Sequence, residues 1–342
     1  MDNKGASYFI VGLAVGIIIS VGGFAWYVRS VNLSGGGEKR QTVLKLSHGL
    51  DQTHPVHKAM IYMAQRLDEL SAGTVKLEVY PNGQLGSETE NIEQLQNRAL
   101  AMAKVSTAVI EGFIPEMAVF SLPYVFRNHE HYWKVLKGNI GKELLLKGDN
   151  EKVKLRGLCY YDAGSRNFYT VTKPIMSPDD LAGMKIRVMN SKTSMDMISA
   201  MGGKPTPISW GELYTALQQG MVDGAENNPP SYYTNRHFEV CKYFSMDEHT
   251  SIPDMLLISS KIWHGLPQQI QEWIQQAADD SSDYQRKLWE EKTKESLEAS
   301  EAEGVKVFYP DKKPFVEKVQ PMLESYKGTA VGDLLDRIEE VK

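Results

Sequence analysis

Two cysteines are all that this chain contains in 342 residues. Cys159 and Cys241 stand far apart and lack metal-ligand spacing, so neither a disulfide framework nor a cysteine zinc site is expected. Two free buried thiols fit better, although sequence alone does not place the side chains. A basic tract is missing too. Lysine and arginine total 38 against 43 acidic residues, a formal net charge of −5, which offers nucleic acid no electrostatic footprint. Catalytic signatures are equally scarce. There is no Gly-x-Ser-x-Gly elbow, no His-Glu-x-x-His pair, no phosphate loop and no dinucleotide fingerprint. His48, His54 and His57 cluster in "SHGLDQTHPVH", but their spacing matches no standard ligand set and a helix-entry loop with polar caps accounts for at least two of them. Glu226 has no second acid at helical spacing with which to form a glycosidase pair. These absences argue against an enzyme and against a bound metal or cofactor.

One long apolar run is present. Tyr8–Val28 carries no charge and is about twenty residues long, enough to span a bilayer. A cleaved signal peptide has a shorter apolar core and a small-x-small site, and neither is evident, so an uncleaved anchor is expected, with a cleaved signal as the alternative. Trp26 and Tyr27 fall where an interfacial aromatic belt belongs. "LSGGGEKR" follows as a flexible tether, and the folded part starts near Gln41, beyond the membrane.

Past that point two periods alternate. Val43 and the leucines around Lys45 mark a strand. Val56, Met60, Met63, Leu67 and Leu70 recur at steps of three and four, as on one face of a helix opened by Pro55. Val75, Leu77 and Val79 alternate as a strand that stops at Pro-Asn-Gly. A helix from Glu88 to Leu100 and the strand "MAKVSTA" complete a βαβ rhythm, which predicts a mostly parallel sheet. The pattern resumes at "LRGLCYYD", "GMKIRVMN" and "SWGELYTALQQGMVDGAE". Leu266–Ala302 reads as one helix, long enough at about 1.5 Å per residue to lie across two domains.

Arg187 interrupts the apolar strand "GMKIRVMN". Ile186 and Val188 point to one face and Arg187 to the other. A solvent-facing arginine on an edge strand is one reading. The other is a carboxylate fork at a strand end, where ligands of open α/β sheets sit. Arg166 ends a strand in "DAGSRNFYT", Asn227 and Asn228 lie in a turn after a helix, and Trp210 opens a helix as either core packing or a stacking wall. Together they suggest a cleft for a small carboxylate.

From Leu44 to about Glu317 the chain resembles the extracytoplasmic solute-binding proteins of TRAP transporters. The motifs are "YPNGQLGSE" at Tyr80–Glu88, "FSLPYVF" at Phe120–Phe126, "DLAGMKIRV" at Asp180–Val188, "ELYTALQQGMVDGAENN" at Glu212–Asn228 and "DEHT" at Asp247–Thr250. Each is modest alone, but their order and spacing are specific. The resemblance implies an α/β fold: a two-domain, periplasmic-binding-protein-like cleft with mixed sheets, crossing hinge strands and a long domain-spanning helix. It divides the chain into residues 1–40 as anchor and tether, 41–163 with 250–291 as one domain, and 164–249 with 292–342 as the other. Carried over, Arg187 clamps the ligand carboxylate, Asn227 helps hold it, and Arg166 is a second basic contact. Trp210 supplies the wall. Glu88, Ser106, Thr107 and His48 or Gly49 read the rest of the solute. Glu226 and His249 join Arg166 in a supporting network at the domain interface. The implied partners are a small carboxylate and the membrane subunits of a TRAP permease. "GAENNPPS", "DAGSRNFYT" and "RHFEVCKYFSMDEHT" look most similar to the hexuronate binders, so glucuronate or galacturonate is expected ahead of aldonates, sialic acid and four-carbon dicarboxylates.

Overall fold

A computed structural model of the chain describes residues 41–342, and the expected anchor and tether lie outside the described residues. Among the described residues no helix is long and apolar enough to cross a membrane. Two sheets form the framework. The first is built from β1 (Thr42–Ser47), β2 (Val75–Tyr80), β3 (Met102–Ser106), β4 (Leu155–Tyr161) and β10 (Asp254–Ser259), in the order β2-β1-β3-β10-β4. The second contains β5 (Arg166–Thr170), β6 (Lys185–Val188), β7 (Lys204–Pro207), β8 (Gly224–Asn227), β9 (Tyr243–Thr250) and β11 (Lys306–Phe308), in the order β11-β9-β5-β8-β6-β7.

Both sheets are mixed, which corrects the expectation of a mostly parallel arrangement. The local βαβ unit makes β1 and β3 parallel, but β10 enters from the other sheet and runs antiparallel to β3 and β4. Likewise β6 is parallel to β7 and β8, while β5 is antiparallel to β8 and β9. The chain passes between the sheets from β4 to β5 and returns from β9 to β10, so each sheet gains strands whose direction no local spacing encodes.

The first sheet is covered on both faces. Met102, Leu256 and Ile258 face the core beneath the Pro55–Leu70 helix, while Ala103, Val105, Met255 and Leu257 face the opposite core. All five residues of β3 are buried, Lys104 among them. The Pro55–Leu70 helix buries Val56, Met60, Met63 and Leu67 as its period predicts, and it starts where the His54 ring accepts the Val56 N–H at 3.2 Å, with Pro55 in its first turn. The helix Glu88–Asn97 begins with a reciprocal capping box between Ser87 and Glu90, which sets Glu88 in its first turn. Cys159 and Cys241 are buried and unpaired.

The long helix runs Gln268–Ala302, 35 residues or about 50 Å. It packs against both the Pro55–Leu70 and the Pro229–Thr234 helices. Gln285 fastens it to the β4–β5 crossing: its Oε1 accepts the Asp162 N–H and its Nε2 donates to the Asp162 carbonyl, each at 2.8 Å. Near the C-terminus the paths divide. Lys313–Glu324 puts Phe315 and Val319 into the core of the second sheet, whereas Ala330–Glu339 puts Val331, Leu334 and Ile338 into that of the first. The sequence reading groups both helices with the second sheet, because an amphipathic period shows an apolar face without showing which core covers it.

Candidate functional site

A cavity of about 320 Å³ opens between the two sheets. Gly49, Glu88, Lys104, Ser106 and Asp254 line it from the first sheet and its loops; Arg166, Arg187, Trp210, Asn227 and Ser231 line it from the second.

Arg187 sits inside the second sheet rather than at an edge. It pairs in register with Thr206 of β7 and Ala225 of β8, and β7, with Pro205 and Pro207, forms the edge instead. Ile186 and Val188 enter the core on one face, so Arg187 is directed to the other. It is 2% exposed. Its Nε donates to the Ile208 carbonyl at 2.8 Å, and its guanidinium lies 5.7 Å from the Trp210 ring centroid. One terminal nitrogen has no partner, and among the described residues no carboxylate comes within ion-pair range. Burial pushes its pKa below the ordinary value, with Tyr169 and Glu226 opposing. A buried cation of this kind is costly to maintain without a counter-charge.

Arg166 is the opposite case. It opens β5 rather than ending the preceding strand. Its Nε bonds Glu226 Oε2 in a very short contact, one terminal nitrogen reaches Glu226 Oε1 at 2.9 Å and the Glu226 carbonyl at 2.8 Å, and the other reaches Asn227 Oδ1 at 3.0 Å. Asn228 N–H donates to the same Asn227 oxygen at 2.9 Å. Two donors on Oδ1 orient the amide so that its NH₂ group is left for other acceptors. Arg166 thus positions Asn227 as well as lining the cavity. Asn227 ends a strand rather than lying in a turn: Gly224–Asn227 pairs with β5, with Asn227 opposite Asn167. Four residues with one apolar side chain show too little period to be read as a strand.

Behind this pair, His249 Nδ1 bonds Asp247 Oδ2 at 2.7 Å and Nε2 lies 3.4 Å from Glu226 Oε2, with the Phe168 ring stacked 4.5 Å away. Burial works against the imidazolium, but Asp247 and Glu226 outweigh it and hold His249 up to about 9. Burial likewise disfavours the Glu226 carboxylate, yet Arg166 and His249 hold it down to about 2. Glu226 and His249 are not on the cavity wall; they support it.

The first sheet contributes a second charged group. Lys104 Nζ donates to Glu88 Oε1 at 3.0 Å and to Asp254 Oδ1 at 3.1 Å, and the Ser106 N–H reaches the same Glu88 oxygen at 3.3 Å. Glu88 and Ser106 were legible as candidates, but Lys104 and Asp254 were missed. They stand 150 positions apart, and a lysine in an apolar strand was the one available signal. Gly49 carries its backbone close to the second sheet, since a Cβ there would lie 3.5 Å from Trp210 Cδ1.

His48 and Thr107 do not reach the wall. The His48 ring is fully buried, accepting the Leu50 N–H at 3.1 Å and meeting His57 Nδ1 at 3.0 Å, and burial with Lys104 nearby lowers it to about 2. Thr107 Oγ1 donates to the Pro253 carbonyl at 3.0 Å and thereby ties β3 to the β9–β10 crossing. Among the described residues no group of histidine, cysteine and acidic side chains has the arrangement of a metal site.

Comparison with known proteins places this geometry. The family model for bacterial extracellular solute-binding proteins, family 7, matches residues 46–329. A TRAP periplasmic solute-binding protein from a Bradyrhizobium species, crystallised in complex with α/β-D-galacturonate, is 40% identical and superposes with a TM-score of 0.84, covering 87% of this chain and 99% of its own. One from Pseudomonas putida with bound D-glucuronate is 37% identical, with a TM-score of 0.84 over 88% of this chain and 97% of its own. The C4-dicarboxylate-binding periplasmic protein DctP of Rhodobacter capsulatus is 32% identical over 268 residues, 78% of this chain and 80% of that protein.

Proposed function

This chain belongs to the family 7 bacterial extracellular solute-binding proteins, the solute-capturing subunits of TRAP transporters, and from that premise we propose that it captures a hexuronate, D-glucuronate or D-galacturonate, for delivery to a TRAP permease. The observation that carries this reading is Arg187: a buried guanidinium with no carboxylate partner among the described residues, at the wall of a cavity of ligand size. A planar fork of donors matches one carboxylate. The freed Asn227 amide, Ser106 and Glu88 supply donors and acceptors for several hydroxyls. The solved relatives with bound galacturonate and glucuronate support the same ligand class.

Capture proceeds by closure. Residues 41–163 with 250–291 form one lobe and 164–249 with 292–329 the other, with the C-terminal helix riding on the first. The ligand favours the closed form by contacting both. Family membership implies export, and Tyr8–Val28 then serves as an export segment retained as a tether; a mature chain whose mass lacks these residues would remove the tether.

A thermal-shift panel tests the ligand. Glucuronate, galacturonate, galactose, succinate and sialic acid are compared at equal concentration with the full chain. A ligand that binds only the folded state adds about 2.7 kcal/mol at a hundredfold excess over its Kd. The expected result is a shift with one or both uronates and none with galactose; a shift with succinate alone would overturn the hexuronate assignment and leave the transport role in place.

A further inference from the structure

The cavity wall carries three cations, Arg166, Arg187 and Lys104, and two carboxylates, Glu88 and Asp254. Their partners divide them unequally. Arg166 is matched by Glu226 behind the wall, and Lys104 is matched twice over, by Glu88 and Asp254. Among the described residues only Arg187 has no compensating carboxylate. The wall therefore neutralises one ligand carboxylate, and at its other end two carboxyl groups already share the single Lys104 ammonium, which leaves no cation there for a second carboxylate.

We propose that Lys104, Glu88 and Asp254 form the selectivity element of the cleft, holding the hydroxyl-bearing end of the ligand and rejecting a second carboxylate. The inference rests on the proposed capture of a polyhydroxy monocarboxylate and adds two residues, Lys104 and Asp254, to its specificity. Three features support it. Glu88 Oε1 and Asp254 Oδ1 are taken by Lys104, but among the described residues no donor is bonded to Glu88 Oε2 or Asp254 Oδ2. Lys104 has spent two of its three ammonium hydrogens, which leaves one donor beside those two free acceptors. A hydroxyl both donates and accepts, so neighbouring hydroxyls satisfy this arrangement while a carboxylate only accepts. Finally, Lys104 is 3% exposed and Asp254 7%, so little water intervenes to screen the repulsion that a second carboxylate would meet.

The fixed geometry has a cause in the fold. Lys104 lies on β3 and Asp254 begins β10, adjacent antiparallel strands. The Ser106 N–H and the capping box at Ser87 hold Glu88 over them. The cluster is thus preorganised on strands rather than on a mobile loop.

Asp254→Asn and Glu88→Gln keep side-chain volume and replace one carboxyl group each, and calorimetry on the full chain gives affinities for glucuronate, galacturonate and succinate. The expected result in either variant is a ten- to hundredfold loss for the uronate, the range for a charged hydrogen bond, together with a gain for succinate. The uronate-to-succinate ratio is the decisive quantity, because a structural role alone lowers both affinities alike. An unchanged ratio in both variants overturns the inference, and wild-type uronate binding then leaves the capture reading standing. Wild-type preference for succinate overturns both. Should an aldonate prove the wild-type ligand, its ratio to succinate is read in the same variants and decides in the same way. Melting curves accompany each variant; Glu88, at the cluster's more exposed position with an 18% accessible side chain, keeps the test alive if Asp254→Asn does not fold.

Discussion

Arg187→Met is expected to weaken binding of every carboxylate ligand about thirtyfold or more while the ligand-free protein becomes more stable. Both halves follow from one side chain. In the proposed complex the guanidinium faces the ligand carboxylate in a desolvated cleft, and truncating one partner of such a buried pair costs roughly 2 to 5 kcal/mol, or about thirtyfold to several thousandfold in affinity. Without ligand the same group is a buried charge with a nitrogen that has no partner among the described residues, held by the Ile208 carbonyl and the Trp210 ring. Replacing a buried charge with an apolar side chain of similar length removes that penalty. Arg187→Lys separates charge from shape: it keeps the cation and loses the fork, so affinity falls less than in the methionine variant. Calorimetry and thermal melts on the three proteins check this. Wild-type affinity in Arg187→Met would sink the clamp; a lower ligand-free melting temperature would show that Arg187 is structural.

Glu226→Ala is expected to act on the fold more than on the ligand. Removing the carboxylate leaves Arg166 and His249, both buried, as neighbouring cations. Breaking such a pair costs roughly 3 to 5 kcal/mol, a fall in melting temperature on the order of 10 °C for a protein of this size. The pH profile carries the signature of the network. His249 has a folded value raised from 6.5 to about 9, so its contribution is fully present below pH 6.5 and is lost as pH rises through 9. Glu226 has a folded value lowered from 4.5 to about 2, so its contribution is present above pH 4.5 and is lost as pH falls toward 2. Wild-type stability from this network is therefore greatest between about pH 4.5 and 6.5. In Glu226→Gln, His249 keeps only Asp247, and the alkaline loss moves to lower pH. Melts of both proteins from pH 4 to 10 test this, and superimposable alkaline limbs would rule out His249 as the titrating group.

The legible part of this molecule was local. Period-3.6 spacing in Val56–Leu70 and period-2 spacing in Val75–Val79 predict elements that the structure contains, because each needs only neighbours along the chain to show its buried face. Arg187 stood out for the same reason: a charge between Ile186 and Val188 has to point away from their core. The sequence of the short β8 resembles a turn because Gly224–Asn227 is too brief to show a period.

What the tertiary structure alone decided is which distant residues meet. That Lys104 is answered by Asp254 depends on β10 returning from the second sheet to lie antiparallel beside β3. That Arg166 spends its charge on Glu226 while Arg187 has none to spend it on depends on β8 running between β5 and β6. His48 and Thr107 have the chemistry of ligand contacts, yet loop backbone and a helix histidine beside the first sheet claim them. The type of each charge is written in the chain, but its partner is set by strand order, and strand order depends on closing loops too long for local propensity to specify.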